Sequence, residues 1–254
     1  RDFTVNALAL ELNGRGLLLD PYGGRKDLKS GLIRMVNRMA FDEDPLRILR
    51  VFSLASIFSF RINPDVLKLC GLKSGKLSGV SWERIRDELF KILERPSAFE
   101  YLLKMDGLGI LKVIMPEIEK MRGVDQGPYH HLDIWRHSLE TVKQLDLLFA
   151  QLRKKKDIEE YLNVCISGER KRKGLLKLAA LLHDVGKPQA LRHEDGKTKF
   201  HGHERIGRDI AENIAVRLRL SNDEINSLKK IVFCHLRPGY MADNEELTPR
   251  AKFR

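Results

Sequence analysis

Apolar positions follow two rhythms along this chain, and the change falls near residue 37. The first 36 residues read as strand and turn. Phe3 to Leu12 fits either an amphipathic helix or a strand. Leu17-Leu18-Leu19 then runs into Asp20-Pro21-Tyr22-Gly23-Gly24, a turn cluster in which Pro fixes φ and Gly permits positive φ. Ile33-Arg34-Met35-Val36 predicts a short strand. From Asn37 onward the spacing is helical. Asp42-Glu43-Asp44-Pro45 predicts a helix start, with acids in the first turn and Pro near the first helical position. Leu46, Leu49, Phe52 (or Val51) and Leu54 follow at helical intervals. Ser81-Trp82-Glu83-Arg84 opens a second helix, with Ile85, Leu89, Ile92 and Leu93 on one face. Residues 99–105 form a third, stopped by Gly107 and Gly109, and Pro116 closes the apolar run at 111–115.

Residues 121–129, with two Gly and one Pro, read as a linker. Four helical segments follow, at 134–152, 175–184, 204–220 and 223–235. The charge-rich stretches 154–156 and 169–173 read as loops, and no internal repeat is visible. The fold class is therefore mainly α. It comprises a short β-containing stub over 1–40, a helical middle over 41–125, and a separate all-helical unit over 126–254.

Composition narrows the function. A chain of 254 residues fits one large or two modest domains. No apolar run approaches the ~20 residues needed to span a bilayer. Leu, Ile, Val and Phe are too plentiful for a disordered chain. Cys70, Cys165 and Cys234 are odd in number and widely spaced, which fits a reducing, cytoplasmic compartment and not a disulfide scaffold. With 46 Lys+Arg against 35 Asp+Glu the net charge is +11, which suits a polyanionic partner such as nucleic acid or nucleotide. The chain has no signal peptide, opens on Arg1-Asp2-Phe3-Thr4 without an initiator Met, and stops in what looks like mid-element at Arg254. It is expected to be a piece of a longer protein.

Asp44 and Arg47 stand three apart at the predicted helix start and would share a face there. Aspartate offers acceptors only and arginine donors only. Cytosine and adenine each present an amine donor beside a ring-nitrogen acceptor, so an Asp–Arg pair complements both. Guanine and uracil would meet like groups. A cap at Asp44 and an i,i+4 ion pair from Glu43 to Arg47 would use the same residues equally well.

The surrounding motifs add to this. They are Arg1-Asp2-Phe3-Thr4-Val5-Asn6-Ala7-Leu8-Ala9, Asp20-Pro21-Tyr22-Gly23-Gly24-Arg25-Lys26-Asp27-Leu28, Phe41-Asp42-Glu43-Asp44-Pro45-Leu46-Arg47-Ile48-Leu49-Arg50 and Ser81-Trp82-Glu83-Arg84-Ile85. In this order they resemble the bacterial class II tRNA nucleotidyltransferase and poly(A) polymerase family, which includes the CCA-adding enzymes. The resemblance implies CMP and AMP addition to the tRNA 3′ end from CTP and ATP, with Mg2+. It implies that Arg1, Asp2 and Asn6 contact the ribose and triphosphate of the nucleotide. Asp44 and Arg47 would select the base and Glu43 would orient Arg47, while Arg50 would meet phosphate or support the helix. The turn from Asp20 to Leu28 would be structural. Arg84, Arg86 and Lys91 would be candidates for RNA phosphate contact, in a helical neck and body that holds the acceptor stem. The family's metal-holding carboxylates lie upstream of the motif at which this chain begins. Asp2 does not replace them, so this chain alone is expected not to transfer nucleotides.

All eight histidines lie beyond residue 129. His183 follows the apolar run 175–182, His235 shares a face with Leu228, Ile231 and Val232, His203 is in register with Ile206 and Ile210, and His137 borders a Ser138/Val142/Leu145 stripe. Four helices each bring an imidazole to or near an apolar face, and Asp184 adjoins one of them, which suits a divalent metal. His183-Asp184-Val185-Gly186-Lys187-Pro188, with the order of the other histidines, resembles the HD phosphohydrolase superfamily. The resemblance implies that His137, His183 and Asp184 hold a first Mn2+, Ni2+ or Fe2+ ion, and that His203 and His235 serve a second. Lys187 would contact a substrate phosphate or cap its helix. The family's last ligating Asp lies further downstream, and Asp243 is a poor substitute. His130, His131, His193 and His201 are expected bystanders. Poly(A) polymerase, and an HD phosphohydrolase with an RNA-binding appendage, are the rival readings.

Overall fold

The computed structural model describes residues 1–14, 16–127, 131–194 and 196–242. The leucine-rich start makes only a small antiparallel ladder, β1 (Ala9–Leu10) with β2 (Leu18–Leu19), and its leucines are exposed. The stretch read as a continuous turn contains helix α1 (Gly24–Ser30). The Asp20 carboxylate accepts the N–H groups of Gly24 and Arg25, at 2.6 and 3.0 Å, and satisfies donors at that helix end. Strand β3 (Leu32–Ile33) starts one residue earlier than expected and pairs in parallel with β4 (Arg61–Ile62).

The helix start predicted over residues 42–45 is present, but a short helix that the pattern does not show precedes it, with a break between the two. Helix α2 (Ala40–Glu43) ends at Asp44, whose backbone is extended at φ −147°, and α3 (Arg47–Phe58) begins after Pro45 and Leu46. Pro45 has no N–H to continue the ladder and disfavours helical backbone at the residue before it. Then come α4 (Pro64–Lys73, capped by Asn63), a 3₁₀ turn (Ser74–Gly79), α5 (Trp82–Leu93), α6 (Ala98–Gly107), α7 (Ile110–Ile114) and a second 3₁₀ turn (Pro116–Met121).

Beyond residue 131 lie α8 (Ile134–Leu152), α9 (Lys156–Asn163), the hairpin β5 (Cys165–Ser167) with β6 (Arg170–Lys171), α10 (Arg172–Leu182) and α11 (Lys187–Ala190). A second hairpin, β7 (Arg192–Glu194) with β8 (Lys197–Lys199), precedes α12 (His203–Arg217), α13 (Asn222–Cys234) and α14 (Arg237–Ala242). Of the charged stretches read as loops, the first ends on the opening residue of α9 and the second contains β6 and the start of α10. With 64% helix the fold is mainly α.

The two helical regions share one core. A single apolar cluster runs from Phe3 and Phe52 through Leu89 and Leu102 to Trp135, Leu178 and Val232. Lys177 of α10, 1% exposed, pairs with Asp146 of α8 and donates to the Arg95 carbonyl at 2.6 Å. Asp146 in turn accepts the Phe99 N–H at 2.9 Å. A buried charge needs such partners to be tolerated.

Ser221 and Glu224 form a reciprocal cap at the start of α13, and both carboxylate oxygens of Glu224 also take the Arg170 guanidinium, at 2.6 and 2.8 Å. Burial opposes ionisation of Glu224, but Arg170 and the Ser221 N–H outweigh it and hold the carboxyl below its ordinary value of 4.5. The stabilisation is therefore complete above pH 4.5 and is lost as pH falls through the lowered folded-state value. Unfolding measured between pH 6 and 3 is expected to show a steep acid limb in the unsubstituted chain and a shallower one in Glu224→Gln.

Candidate functional site

The sequence places His137 on α8, His183 and Asp184 just past α10, His203 at the first residue of α12 and His235 just past α13, and the fold brings all five together. Asp184 is at the centre and 1% exposed. Its Oδ2 lies 3.1 Å from His183 Nε2 and 3.8 Å from His137 Nε2. Its Oδ1 lies 3.4 Å from His203 Nε2 and 3.5 Å from His235 Nε2. The donor atoms thus form two triads that share Asp184, and within each they lie within 4.8 Å of one another.

Three of the rings are held by backbone. Nδ1 of His183, His203 and His235 lies 2.8, 2.7 and 2.6 Å from the carbonyls of Ala180, Phe200 and Val232. A carbonyl only accepts, so Nδ1 carries a hydrogen, and in the neutral ring Nε2 then presents a lone pair to the centre. His203 Nε2 and His235 Nε2 are 3.2 Å apart, so two such lone pairs face each other beside Asp184 Oδ1, a buried oxygen without a hydrogen-bond partner. This donor set fits a divalent cation: imidazoles fixed by outer contacts around an orphaned carboxylate oxygen. Burial opposes the Asp184 charge, yet His183, His203 and His235, when their Nε2 atoms carry hydrogens, outweigh it and hold the carboxyl well below the usual carboxylate range; a bound cation would take the place of those hydrogens.

Gly186 lets the site close. A Cβ there would collide with the His203 carbonyl and the Gly207 backbone, so only glycine allows α12 this near. Lys187 follows, with Nζ 2.8 Å from Asp184 Oδ2 and 2.7 Å from Gln126 Oε1. Lys187 opens the four-residue α11, and its ammonium bonds Asp184, just past the end of α10, and Gln126. A groove of about 550 Å³ opens onto this centre, lined by His137, Thr141, His183, Asp184, Lys187 and His235 among others. Gln126 is a buried side chain that the linker reading passes over; its Gly- and Asp-rich surroundings carry no periodicity to betray it. His131, His193 and His201 are exposed, away from the cluster, and His130 and Asp243 lie outside the described residues.

The pair expected to select the base, Asp44 and Arg47, stands at the α2–α3 junction. The Arg47 N–H donates to the Asp44 carbonyl at 3.1 Å, so the two residues stand at the ends of one turn that leads into α3, but their side chains take different protein partners. Arg47 donates to Glu43 at 2.7 Å and to the Ala40 carbonyl at 3.0 Å. Asp44 accepts the Leu46 N–H at 3.2 Å and pairs with Arg84 of α5 at 2.8 Å. Burial resists the Asp44 charge, but the Arg84 contact lowers its carboxyl pKa on balance. Asp2 is buried, accepts from Asn6 at 3.3 Å and lies 2.8 Å from Arg50, so Arg50 supports this turn. Arg1 is exposed.

The three residues proposed from sequence for RNA phosphate also have protein partners. Arg84 holds Asp44 and Lys91 pairs with Glu88 at 2.8 Å, both about half exposed. Arg86 is corrected from a phosphate contact to a strut: largely buried, it bonds Asp87 and the Arg219 carbonyl of the α12–α13 turn.

Comparison with known proteins follows the same division. Residues 1–34 match the family model for the poly A polymerase head domain, 59–121 that for a probable RNA and SrmB-binding site of polymerase A, and 134–253 that for the HD domain. An A-adding tRNA nucleotidyltransferase of Deinococcus radiodurans is 35% identical over 243 residues, covering 93% of this chain and 51% of that protein. A multifunctional CCA protein of Legionella pneumophila is 33% identical, covering 93% and 53%. A Thermotoga maritima CCA-adding enzyme solved in complex with tRNA matches at a TM-score of 0.60 and 26% identity, over 95% of this chain and 48% of that one. These segments, in this order, match a polymerase head portion, an RNA-binding portion and an HD domain. The chain belongs to the class II tRNA nucleotidyltransferase and poly(A) polymerase family, and it spans about half the length of the curated relatives it matches.

Proposed function

We propose that the protein to which this chain belongs adds nucleotides from CTP and ATP to the 3′ end of tRNA, and that its HD unit is a metal-dependent phosphatase or phosphodiesterase. Residues 1–40 serve as the end of the nucleotidyltransferase head, 41–125 as the base-selecting and tRNA-holding neck and body, and 126–254 as the HD unit. The observation that carries the transferase reading is the α2–α3 break, where Glu43 and the Ala40 carbonyl hold Arg47 beside Asp44. Arg1, Asp2 and Asn6 flank it as contacts for ribose and triphosphate. Names of curated relatives favour tRNA over a poly(A) tail, although the head and RNA-binding family models are described from poly(A) polymerase. Asp2 is buried and paired with Arg50, so it does not fit as a ligand for the Mg2+ of transfer.

The HD unit does fit a metal. His137, His183 and Asp184 would hold one ion, and Asp184, His203 and His235 a second, of the Mn2+, Ni2+ or Fe2+ type. Such an ion supplies Lewis-acid activation of water and of a phosphoryl oxygen. The chain's own part is to fix the imidazole tautomers, keep Asp184 ionised and offer Lys187 to the phosphate. The three cysteines are free, which fits a reducing, cytoplasmic setting. No helix among the described residues is long and apolar enough to cross a membrane. Metal analysis after dialysis against Mn2+ tests the centre. The chain is expected to retain Mn2+ and to hydrolyse p-nitrophenyl phosphate or 2′,3′-cyclic AMP, and His183→Ala to hold less Mn2+, keeping the ion of the other triad, and to lose the hydrolysis. Equal metal content in the two proteins would refute the site.

A further inference from the structure

We infer that Gln126 is a positioning residue of the HD centre, aiming the Lys187 ammonium at the phosphate group of a phosphoester substrate. The inference rests on the phosphohydrolase reading of that centre and adds a residue outside the metal cluster. Gln126 precedes α8 on an irregular segment, yet its side chain is buried. Its Nε2 donates to the Leu132 carbonyl at 3.2 Å, which fixes which end of the amide is which. Its Oε1 then accepts from Lys187 Nζ at 2.7 Å.

A lysine ammonium has three hydrogens. One is spent on Asp184 Oδ2 at 2.8 Å and one on Gln126. Tetrahedral geometry then fixes the direction of the third. Lys187 is 12% exposed, its Nζ lies 5.4 Å from the centre of the Phe200 ring, and it borders the groove that opens onto Asp184. Its four-carbon stem would otherwise swing freely, and the two anchors remove that freedom before a ligand arrives. A phosphate oxygen reaching the metal side of the groove would meet a cation already in place.

The test uses inorganic phosphate as the probe on the Mn2+-loaded 254-residue chain, read by calorimetry, with p-nitrophenyl phosphate kinetics alongside. Gln126→Met removes the acceptor at similar volume, and Gln126→Ala is the second variant should Met not fold. Loss of an outer-shell partner typically costs 10–100-fold; here phosphate affinity is expected to fall about tenfold and KM to rise, with kcat little changed. Mn2+ affinity, which reports an intact centre, should stay the same. In a Lys187→Met background the Gln126 substitution should have no further effect, because it acts through the lysine. Unchanged phosphate affinity in Gln126→Met, or an equal loss with and without Lys187, would overturn the positioning role alone. Failure of the unsubstituted, Mn2+-loaded chain to bind phosphate would overturn the phosphohydrolase reading beneath it.

Discussion

Replacing Asp184 by Ala is expected to remove divalent-metal binding from both triads at once. No other residue of the cluster belongs to both: His137 and His183 stand on one side of the carboxylate, His203 and His235 on the other. A single His→Ala change should weaken one ion and leave the second triad whole. The Asp184 change should lower Mn2+ affinity by more than about 100-fold, beyond the 10–100-fold typical of losing an outer-shell partner. The expected calorimetric result is a flat titration for Asp184→Ala and a partial one for His137→Ala. Lys187 would lose its carboxylate partner in the same variant. Removing one member of a buried pair is destabilising, so Asp184→Asn, which keeps the volume, belongs beside it. A folded Asp184→Asn or Asp184→Ala protein that binds Mn2+ like the unsubstituted chain would contradict the shared-ligand geometry.

Asp44→Ala in the full-length protein is expected to erase the choice of CTP and ATP over GTP and UTP while leaving tRNA binding intact. A bidentate base contact discriminates by about 1–3 kcal/mol, or roughly 5- to 150-fold. The Glu43 and Ala40 contacts keep the Arg47 guanidinium fixed, so the carboxylate is the half of the pair that the change removes. Nucleotide incorporation ratios measure the effect. Ratios equal to those of the unsubstituted protein would refute base reading by this pair.

How much of this was legible in the sequence differs by residue. The convergence of His137, His183, His203 and His235 could be read because each lies at or near the apolar face of a strongly periodic segment. Facing that core forces such rings toward one another. Helix α4 has a readable cap and proline start at Asn63-Pro64, but its face is only partly apolar and most of it stays at the surface. Strands β6, β7 and β8 could not be read: they are two or three residues long, rich in Lys, Arg and Glu, and held by a partner strand instead of a buried face. The break at Asp44 was signalled by Pro45, but acids before a proline also open helices, so the signal had two meanings. The Asp44–Arg84, Arg86–Arg219 and Gln126–Lys187 contacts join residues 40, 133 and 61 positions apart. Polar pairs over such separations leave no trace in local pattern, so Arg84 and Arg86 looked like free cations and Gln126 like linker.

The most direct measurement is nucleotide addition by the full-length protein to tRNA lacking its 3′-terminal nucleotides, with labelled ATP and CTP supplied separately and together, with Mg2+. The account predicts labelled tRNA whose incorporation is lost with Arg47→Ala and whose base preference is lost with Asp44→Ala. Failure to label tRNA with either nucleotide, or labelling that neither substitution alters, would contradict it.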